Sequence, residues 1–262
     1  TPLKDRIGSE IRTHYPAGRA EGMTITAQEA WLSRQESTLG AEVPTFVAEI
    51  VEEVAFQARQ DRRIDKRSGV SQRLPISTIE NVVSNAERRA LATGESLAIP
   101  RVTDIYAAVP SITGKFEMEY EGEMKGAETI ALELIRAAVA GVAEGYLGHL
   151  ETRQVVEWFE LGGSLQLADS TSAEELLKST SQVQGLTELA QAAGIPADAP
   201  APLLASGIDF VLEGLCALKR IGRSDEGGYE ATETPVRRPA REAAFPDEMT
   251  MPGGEGKKKY YN

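Results

Sequence analysis

Apolar residues recur at helical spacing through most of this chain, and runs with the two-residue period of a strand are few. One such segment begins near Pro44, which a first helical turn tolerates because the amide groups there have no intrahelical acceptor. Its apolar residues recur at steps of one, three or four positions, as on one face of a helix: Val43, Val47, Ile50, Val51, Val54 and Ala58. This spacing predicts an amphipathic helix over 44–62.

Several later segments have the same period. They predict helices at about 74–92, 103–109, 126–147, 173–193 and 203–220. Gly94 follows the first of these, where a glycine favours the end of a helix. Successive helices without strands between them indicate a helical bundle.

A few segments depart from this pattern. Partial alternation predicts a short strand near 9–15, and Thr26 with Glu29 resembles a capping box ahead of a helix of two to three turns. Residues 151–172 fit a small hairpin and a helix end followed by a loop equally well. The acidic run 117–123 is interpreted as a solvated connector, because it lacks the glycine-turned loop of a calcium site.

The composition limits the function classes. A formal net charge of −12 argues against nucleic-acid binding, because an acidic surface repels phosphates. The apolar stretch around 127–150 contains several charged residues, which argues against a membrane span. The single cysteine, Cys216, fits a reducing cytoplasm and a buried position, and with His14 and His149 it cannot form a zinc cage, so no metal site is predicted.

The last part of the chain changes composition. Beyond Gly222 it is rich in glycine, proline, glutamate and arginine and contains few apolar residues. Such a segment cannot bury enough apolar surface to offset the entropy of ordering it. Residues 223–262 are therefore predicted to be a disordered tail.

No phosphate-binding loop of the P-loop kind occurs in the sequence. That loop needs a glycine five residues before a Gly-Lys-Ser/Thr triplet. Gly114 and Lys115 are followed by Phe116, and Gly256 and Lys257 lie in the tail, with no glycine at the required earlier position in either case. This chain alone cannot hold a nucleotide in the P-loop manner.

Two arginines remain as candidates for contact with an anion. Arg6 lies in the segment PLKDRIG, and Arg73 lies in SGVSQRL at the start of the helix predicted over 74–92. Ser71 is a suitable N-cap, which leaves the Arg73 guanidinium free to bind phosphate oxygens at that helix end. Pro75 would forfeit the first intrahelical hydrogen bond, so the helix is expected to start a turn later.

These two segments resemble motifs of AAA+ ATPases in the group of the magnesium-chelatase ATPase subunit and MoxR. PLKDRIGSEI is similar to the run after sensor 1 that bears the arginine finger, with Ile7 where the family often has phenylalanine. SGVSQRLPISTIENVVSNAERRAL is similar to sensor 2 of the same group. The segment ITGKFEMEYEGEMKG resembles a bacterial subgroup often labelled magnesium chelatase by similarity.

The resemblance implies a mainly α fold. Residues 1–22 would be the end of an α/β AAA+ core, 23–150 a helical lid, 151–222 a family-specific helical extension and 223–262 the tail. The motifs that the family places upstream, Walker A, Walker B and sensor 1, are missing here, so the chain is expected to be the C-terminal part of such an ATPase.

The resemblance also implies a function. Arg6 would be the arginine finger that reaches the ATP of a neighbouring subunit, and Arg73 the sensor that contacts the γ-phosphate in its own subunit; a surface arginine is the alternative for each. ATP and Mg²⁺ would be bound mostly by other parts of a homo-oligomeric ring that works with a von Willebrand A domain partner. The activity would be insertion of Mg²⁺ into protoporphyrin IX or protein remodelling of the MoxR kind. A helical interaction module without ATP chemistry is the alternative.

Overall fold

A computed structural model describes residues 6–11, 13–32, 39–224 and 228–232. These residues form a mainly helical structure, as predicted. The helices are α1 (Arg19–Glu29), α2 (Thr45–Gln60), α3 (Arg73–Thr93), α4 (Val102–Ala107), α5 (Val109–Thr113), α6 (Tyr120–Lys125), α7 (Ala127–Leu147), α8 (Arg153–Glu160), α9 (Ala173–Thr180), α10 (Leu186–Ala192) and α11 (Ala201–Ala217). None of the helices in these ranges is long and apolar enough to cross a membrane.

The strands are short and pair over two residues each. β1 (Gly40–Ala41) pairs parallel with β2 (Leu97–Ala98), and β3 (Gly222–Arg223) pairs antiparallel with β4 (Tyr229–Glu230). Ladders of this length fasten neighbouring loops and do not form a layer of the core. The hydrophobic core is therefore built by helices.

Helix α7 packs against both α2 and α11 at the centre of the core. Aromatic rings from all three helices meet there. The Phe46 and Phe210 rings stack with centroids 4.5 Å apart, and the Tyr146 ring lies edge-on to Phe210 at 5.3 Å. The core is continuous across the predicted boundary at residue 150, and residues up to Thr232 form one compact unit. The division into core end, lid and extension stays a prediction.

The strongly periodic helices are confirmed. Helices α2, α3 and α7 lie within two residues of their predicted bounds. Helix α3 ends where predicted, because Gly94 adopts a left-handed φ of 76° and its amide donates to the Ala90 carbonyl oxygen. The later start expected from Pro75 is wrong: Pro75 lies in the first turn of α3, where the absence of its amide hydrogen costs no intrahelical bond. The helix predicted at 103–109 is two short helices, α4 and α5.

Other local predictions are wrong. No strand forms over 9–11 or 13–15, where the chain is largely exposed and has no pairing partner in the described ranges. Thr26 and Glu29 lie at the end of α1 and not before a helix, because α1 already begins at Arg19. Residues 151–172 form α8 and a loop, which was one of the two alternatives.

The predicted helix at 173–193 is interrupted. It is split into α9 and α10, and Gly185 at the break has a left-handed φ of 81°. Helix α8 packs two aromatic rings: Phe159 is fully buried and the Trp158 ring lies edge-on to it at 4.9 Å. Both rings pack with the core.

The first residues of the predicted tail are folded. Tyr229 is only 2% exposed, and its hydroxyl donates to Glu213 of α11 at 2.7 Å. Its backbone exchanges two hydrogen bonds with Leu165, at 2.8 and 3.0 Å. The prediction of disorder from residue 223 is therefore wrong for 223–224 and 228–232, because one aromatic side chain supplies the buried surface. Residues 225–227 and 233–262 lie outside the described residues.

Two carboxylates of α11 are buried beside this strand. Glu213 pairs with Arg223 as well as Tyr229, and Asp209 accepts the Thr103 backbone N–H at 3.2 Å. Burial, with the neighbouring Glu213 carboxylate, raises the pKa of Asp209 to about 7. Burial also raises the pKa of the partly buried Cys216 thiol to about 12. We call Asp209, Glu213, Arg223 and Tyr229 the α11 cluster.

Candidate functional site

Arg73 lies exposed at the first residue of α3 and follows a tight turn over 69–72. Gly69 opens this turn with a φ of 69°, a left-handed conformation that glycine adopts at little cost, and its amide donates to the Asp65 carbonyl oxygen at 3.1 Å. The helix N-cap is Gln72 and not Ser71 as predicted. The Ser71 hydroxyl still accepts the Arg73 backbone N–H at 3.3 Å, so it satisfies one free donor of the first turn.

Arg59, near the end of α2, fixes the turn from the body of the protein. Its Nε donates to the Val70 carbonyl oxygen at 3.0 Å, and its Nη2 donates to Gln72 Oε1 at 2.9 Å. Its guanidinium also lies over the ring of Tyr15, 4.6 Å from the centroid. These contacts hold backbone and side chain of the turn together.

Gln72 connects the turn to a buried carboxylate. Its Nε2 lies 2.9 Å from each carboxylate oxygen of Glu52 and also contacts the Gly22 carbonyl oxygen at 3.2 Å. Thr26 Oγ1 donates to Glu52 Oε2 at 3.1 Å. Glu52 is 1% exposed on α2, and this burial raises its pKa, whereas the hydrogen bonds from Gln72 and Thr26 and the charge of Arg59 act in the opposite direction. We call Thr26, Glu52, Arg59 and Gln72 the Glu52 network.

Tyr15 joins the segment before α1 to the same turn. Its hydroxyl accepts the Val70 backbone N–H at 3.1 Å. A Cβ placed on Gly69 would lie 2.4 Å from the Tyr15 hydroxyl oxygen, so a larger residue there would have to displace the end of the Tyr15 side chain. The turn before Arg73 is therefore held on two sides, by the Glu52 network and by Tyr15.

Arg6 lies exposed in the segment before α1. Among the described residues the structure records no contact between Arg6 and Arg73, and neither guanidinium has an ion pair there. The two predicted site residues are thus both accessible. Among the residues that the structure describes, a hydrogen-bond network supports the turn before Arg73, and no such support is recorded for Arg6.

Part of the basic run after α2 complements the negative end of the helix dipole, through Lys66. The Lys66 Nζ donates to the carbonyl oxygens of Arg59 and Asp61 at 2.6 and 2.7 Å. Arg63 instead forms ion pairs with Asp61 and with Glu133 of α7, both at 2.6 Å. These contacts raise the pKa of Arg63 and lower that of Asp61.

The acidic segment 117–123 is more ordered than predicted. It includes the start of α6, and its backbone is fastened to residues 63–65: the Glu119 N–H donates to the Arg63 carbonyl oxygen and the Asp65 N–H to that of Glu117, each at 2.9 Å. The glutamate side chains remain exposed, in keeping with a solvated surface. No group of three or more potential metal ligands occurs among the residues for which the structure gives positions.

Comparison of the chain with family models, curated proteins and solved structures finds no match. The residues that build the site from below, Tyr15, Glu52, Arg59 and Gln72, were not among the residues predicted from the sequence.

Proposed function

We propose that this chain is the lid-bearing part of a ring-forming ATPase that resembles the magnesium-chelatase ATPase subunit and MoxR, and that Arg73 contacts the γ-phosphate of ATP. The observation that carries the proposal is an exposed arginine at the start of a long helix, on a turn fixed by a buried hydrogen-bond network. An arginine there is poorly placed for the helix dipole by itself and well placed to meet an anion that docks at that helix end.

The residues present suit part of a nucleotide site. Arg73 offers a permanently charged planar group without an ion pair in the described ranges, which fits a phosphate oxygen pair. The P-loop and the ligands of Mg²⁺ would come from outside this chain. In phosphoryl transfer, negative charge spreads over the γ-phosphate oxygens, where the Arg73 guanidinium would bind. ATP with its Mg²⁺ supplies the phosphoryl group that is transferred.

The role of this chain's residues is positional. Arg59 and Gln72 hold the backbone from which Arg73 projects, so its guanidinium would meet the phosphate without first having to order a loop. Arg6 would act on the nucleotide of the neighbouring subunit, which makes turnover depend on ring assembly. Hydrolysis would drive metal insertion into a porphyrin, or protein remodelling, with a von Willebrand A domain partner.

The test uses the protein that contains this chain together with its nucleotide-binding segment. We expect Arg73→Ala to lower kcat by at least about a hundredfold, since loss of one preorganised donor to the charge of the transition state typically costs about 10²–10³ in kcat. Arg88→Ala is the matched control, because Arg88 is also exposed on α3, and it should retain turnover. Turnover that is equal in both variants would refute the role of Arg73.

Arg6 is tested by mixing. Arg6→Ala alone should be inactive, whereas a mixture with a P-loop variant should recover part of the activity, because some interfaces then combine an intact finger with an intact nucleotide site. Failure of the mixture to exceed the sum of its two components would place Arg6 outside the neighbouring site.

A further inference from the structure

A groove of about 820 Å³ lies between the start of α8 and the α9–α10 connection. Its volume is within the range of pockets that hold ligands or peptide side chains. None of its lining residues belongs to the Glu52 network or to the turn before Arg73. It is therefore a second candidate site, independent of the proposed ATPase function.

The groove has an apolar floor and an acidic rim. Leu150, Val183 and Leu189 line it, the last two being almost fully buried, so the floor belongs to the packed core. Glu151 and Glu188 also line it and are exposed. No lysine, arginine or histidine is among its lining residues.

The backbone around the groove is well defined by its contacts. Gly185 at the α9–α10 break has a left-handed φ of 81°, and its carbonyl oxygen accepts the Leu189 N–H at 2.9 Å. A Cβ at Gly185 would lie 2.8 Å from Gln154 Oε1, so this glycine allows the connection to approach α8 closely. The nearest base in sequence, Arg153, is engaged with Glu157 at 2.6 Å. Glu151 Oε1 accepts the Arg153 backbone N–H at 3.0 Å, and neither rim carboxylate has a cation among the residues that line the groove.

We propose that this groove binds a short basic segment of a partner protein, with an aliphatic side chain against Leu150 and Ala192 and arginine or lysine at Glu151 and Glu188. Charge complementarity selects this occupant: an acidic segment would meet two carboxylates without a cation, and a nucleic acid would be repelled in the same way. Leu150 and Ala192, the apolar lining residues that are not buried, supply the apolar surface that a purely electrostatic contact would lack.

The probe is a short fluorescein-labelled peptide of arginine, leucine and alanine, with a matched peptide in which glutamate replaces arginine. Fluorescence anisotropy with the whole chain should show saturable binding of the basic peptide only. Glu151→Gln with Glu188→Gln should weaken binding about tenfold, since each partly exposed ion pair contributes up to about fivefold. Ala192→Trp, which places an indole in the groove from its exposed edge, should abolish binding.

The matched control removes the same charge elsewhere. Glu160→Gln with Asp198→Asn changes two exposed acids that do not line the groove, and it should leave the affinity unchanged. Circular dichroism of each variant verifies the fold. Absence of binding to the unaltered chain, equal weakening by the two double variants, or full binding by Ala192→Trp would each overturn the proposal.

Discussion

The Glu52 network and the α11 cluster both bury carboxylates on helices of the core, but they satisfy them differently. Both oxygens of Glu52 accept hydrogen bonds from neutral groups, the Gln72 amide and the Thr26 hydroxyl. Asp209 accepts one backbone N–H, and the like-charged Glu213 lies one turn along the same helix. Burial raises the pKa of both Glu52 and Asp209, and in the α11 cluster the neighbouring carboxylate raises that of Asp209 further.

The difference indicates different purposes. The hydrogen bonds of the Glu52 network extend from the core to the exposed turn before Arg73. They therefore fix a turn that faces solvent. The α11 cluster ends at Tyr229 and Arg223, and its contacts fasten β3 and β4 to the core. Buried polar groups thus support a solvent-exposed turn in one region and hold a chain segment in the other.

The largest expected effect is on the free energy of unfolding, and it differs between Tyr229, in the α11 cluster, and Tyr15, which contacts the turn above the Glu52 network. Tyr229→Ala should lower the free energy of unfolding by about 3–5 kcal/mol, because it removes a fully buried ring and leaves Glu213 without its hydroxyl donor. Tyr15→Ala should cost about 1 kcal/mol, because Tyr15 is 48% exposed and its hydroxyl only accepts one backbone N–H. Urea unfolding followed by circular dichroism measures both; equal losses would show that the two regions do not differ in this way.

The second expected effect is a pH dependence from Asp209. Its pKa in the folded protein is about 7, above the ordinary 3.8, so between these values the folded state binds the extra proton. Stability from this group is therefore present at low pH and lost as pH rises from about 4 to 7.

The measurement compares urea unfolding at pH 5 and pH 8. Asp209→Asn should remove this loss and be more stable than the unaltered chain at pH 8 by on the order of 2 kcal/mol, with a smaller difference at pH 5. Glu128→Gln, an exposed acid on α7, is the control and should follow the unaltered chain. If the free energy of unfolding of Asp209→Asn changed between pH 5 and pH 8 as much as that of the unaltered chain, Asp209 would not be the group that binds this proton.

The sequence predicted the elements whose signal is local. The period of apolar residues identified α2, α3 and α7, and Gly94 marked a helix end, because both signals act within one or two turns. The strand near 9–15 was wrong because a strand needs a partner that alternation cannot reveal. The prediction of disorder from residue 223 was wrong at Tyr229, because burial of one aromatic ring stabilises a segment whose composition is otherwise polar.

Of the candidate site, the sequence predicted only the exposed arginine, Arg73, and not the buried residues that support its turn. Arg73 was found because it follows a recognisable turn. Glu52 and Glu53 are identical neighbours in sequence, yet Glu52 is buried against Gln72, twenty residues away, and Glu53 faces Arg19 at 3.5 Å. Which of the two is buried depends on the packing of α1 and α3 on α2, and no local pattern contains that information.

The smallest expected effect tests how rigid the Glu52 network is. Gly22 lies in α1, where alanine would ordinarily stabilise the helix by up to about 1 kcal/mol. A Cβ there would lie 2.1 Å from Glu52 Oε1, so Gly22→Ala must displace a carboxylate that is buried and hydrogen-bonded. We expect a net loss of about 1 kcal/mol in urea unfolding, because the disturbed packing outweighs the helix propensity. Gly141→Ala on α7, whose added Cβ would have its nearest neighbour at 4.0 Å, should instead be neutral or stabilising. If both substitutions stabilise the protein, Glu52 moves aside freely, and the network cannot be the rigid support that distinguishes the Arg73 turn from the α11 cluster.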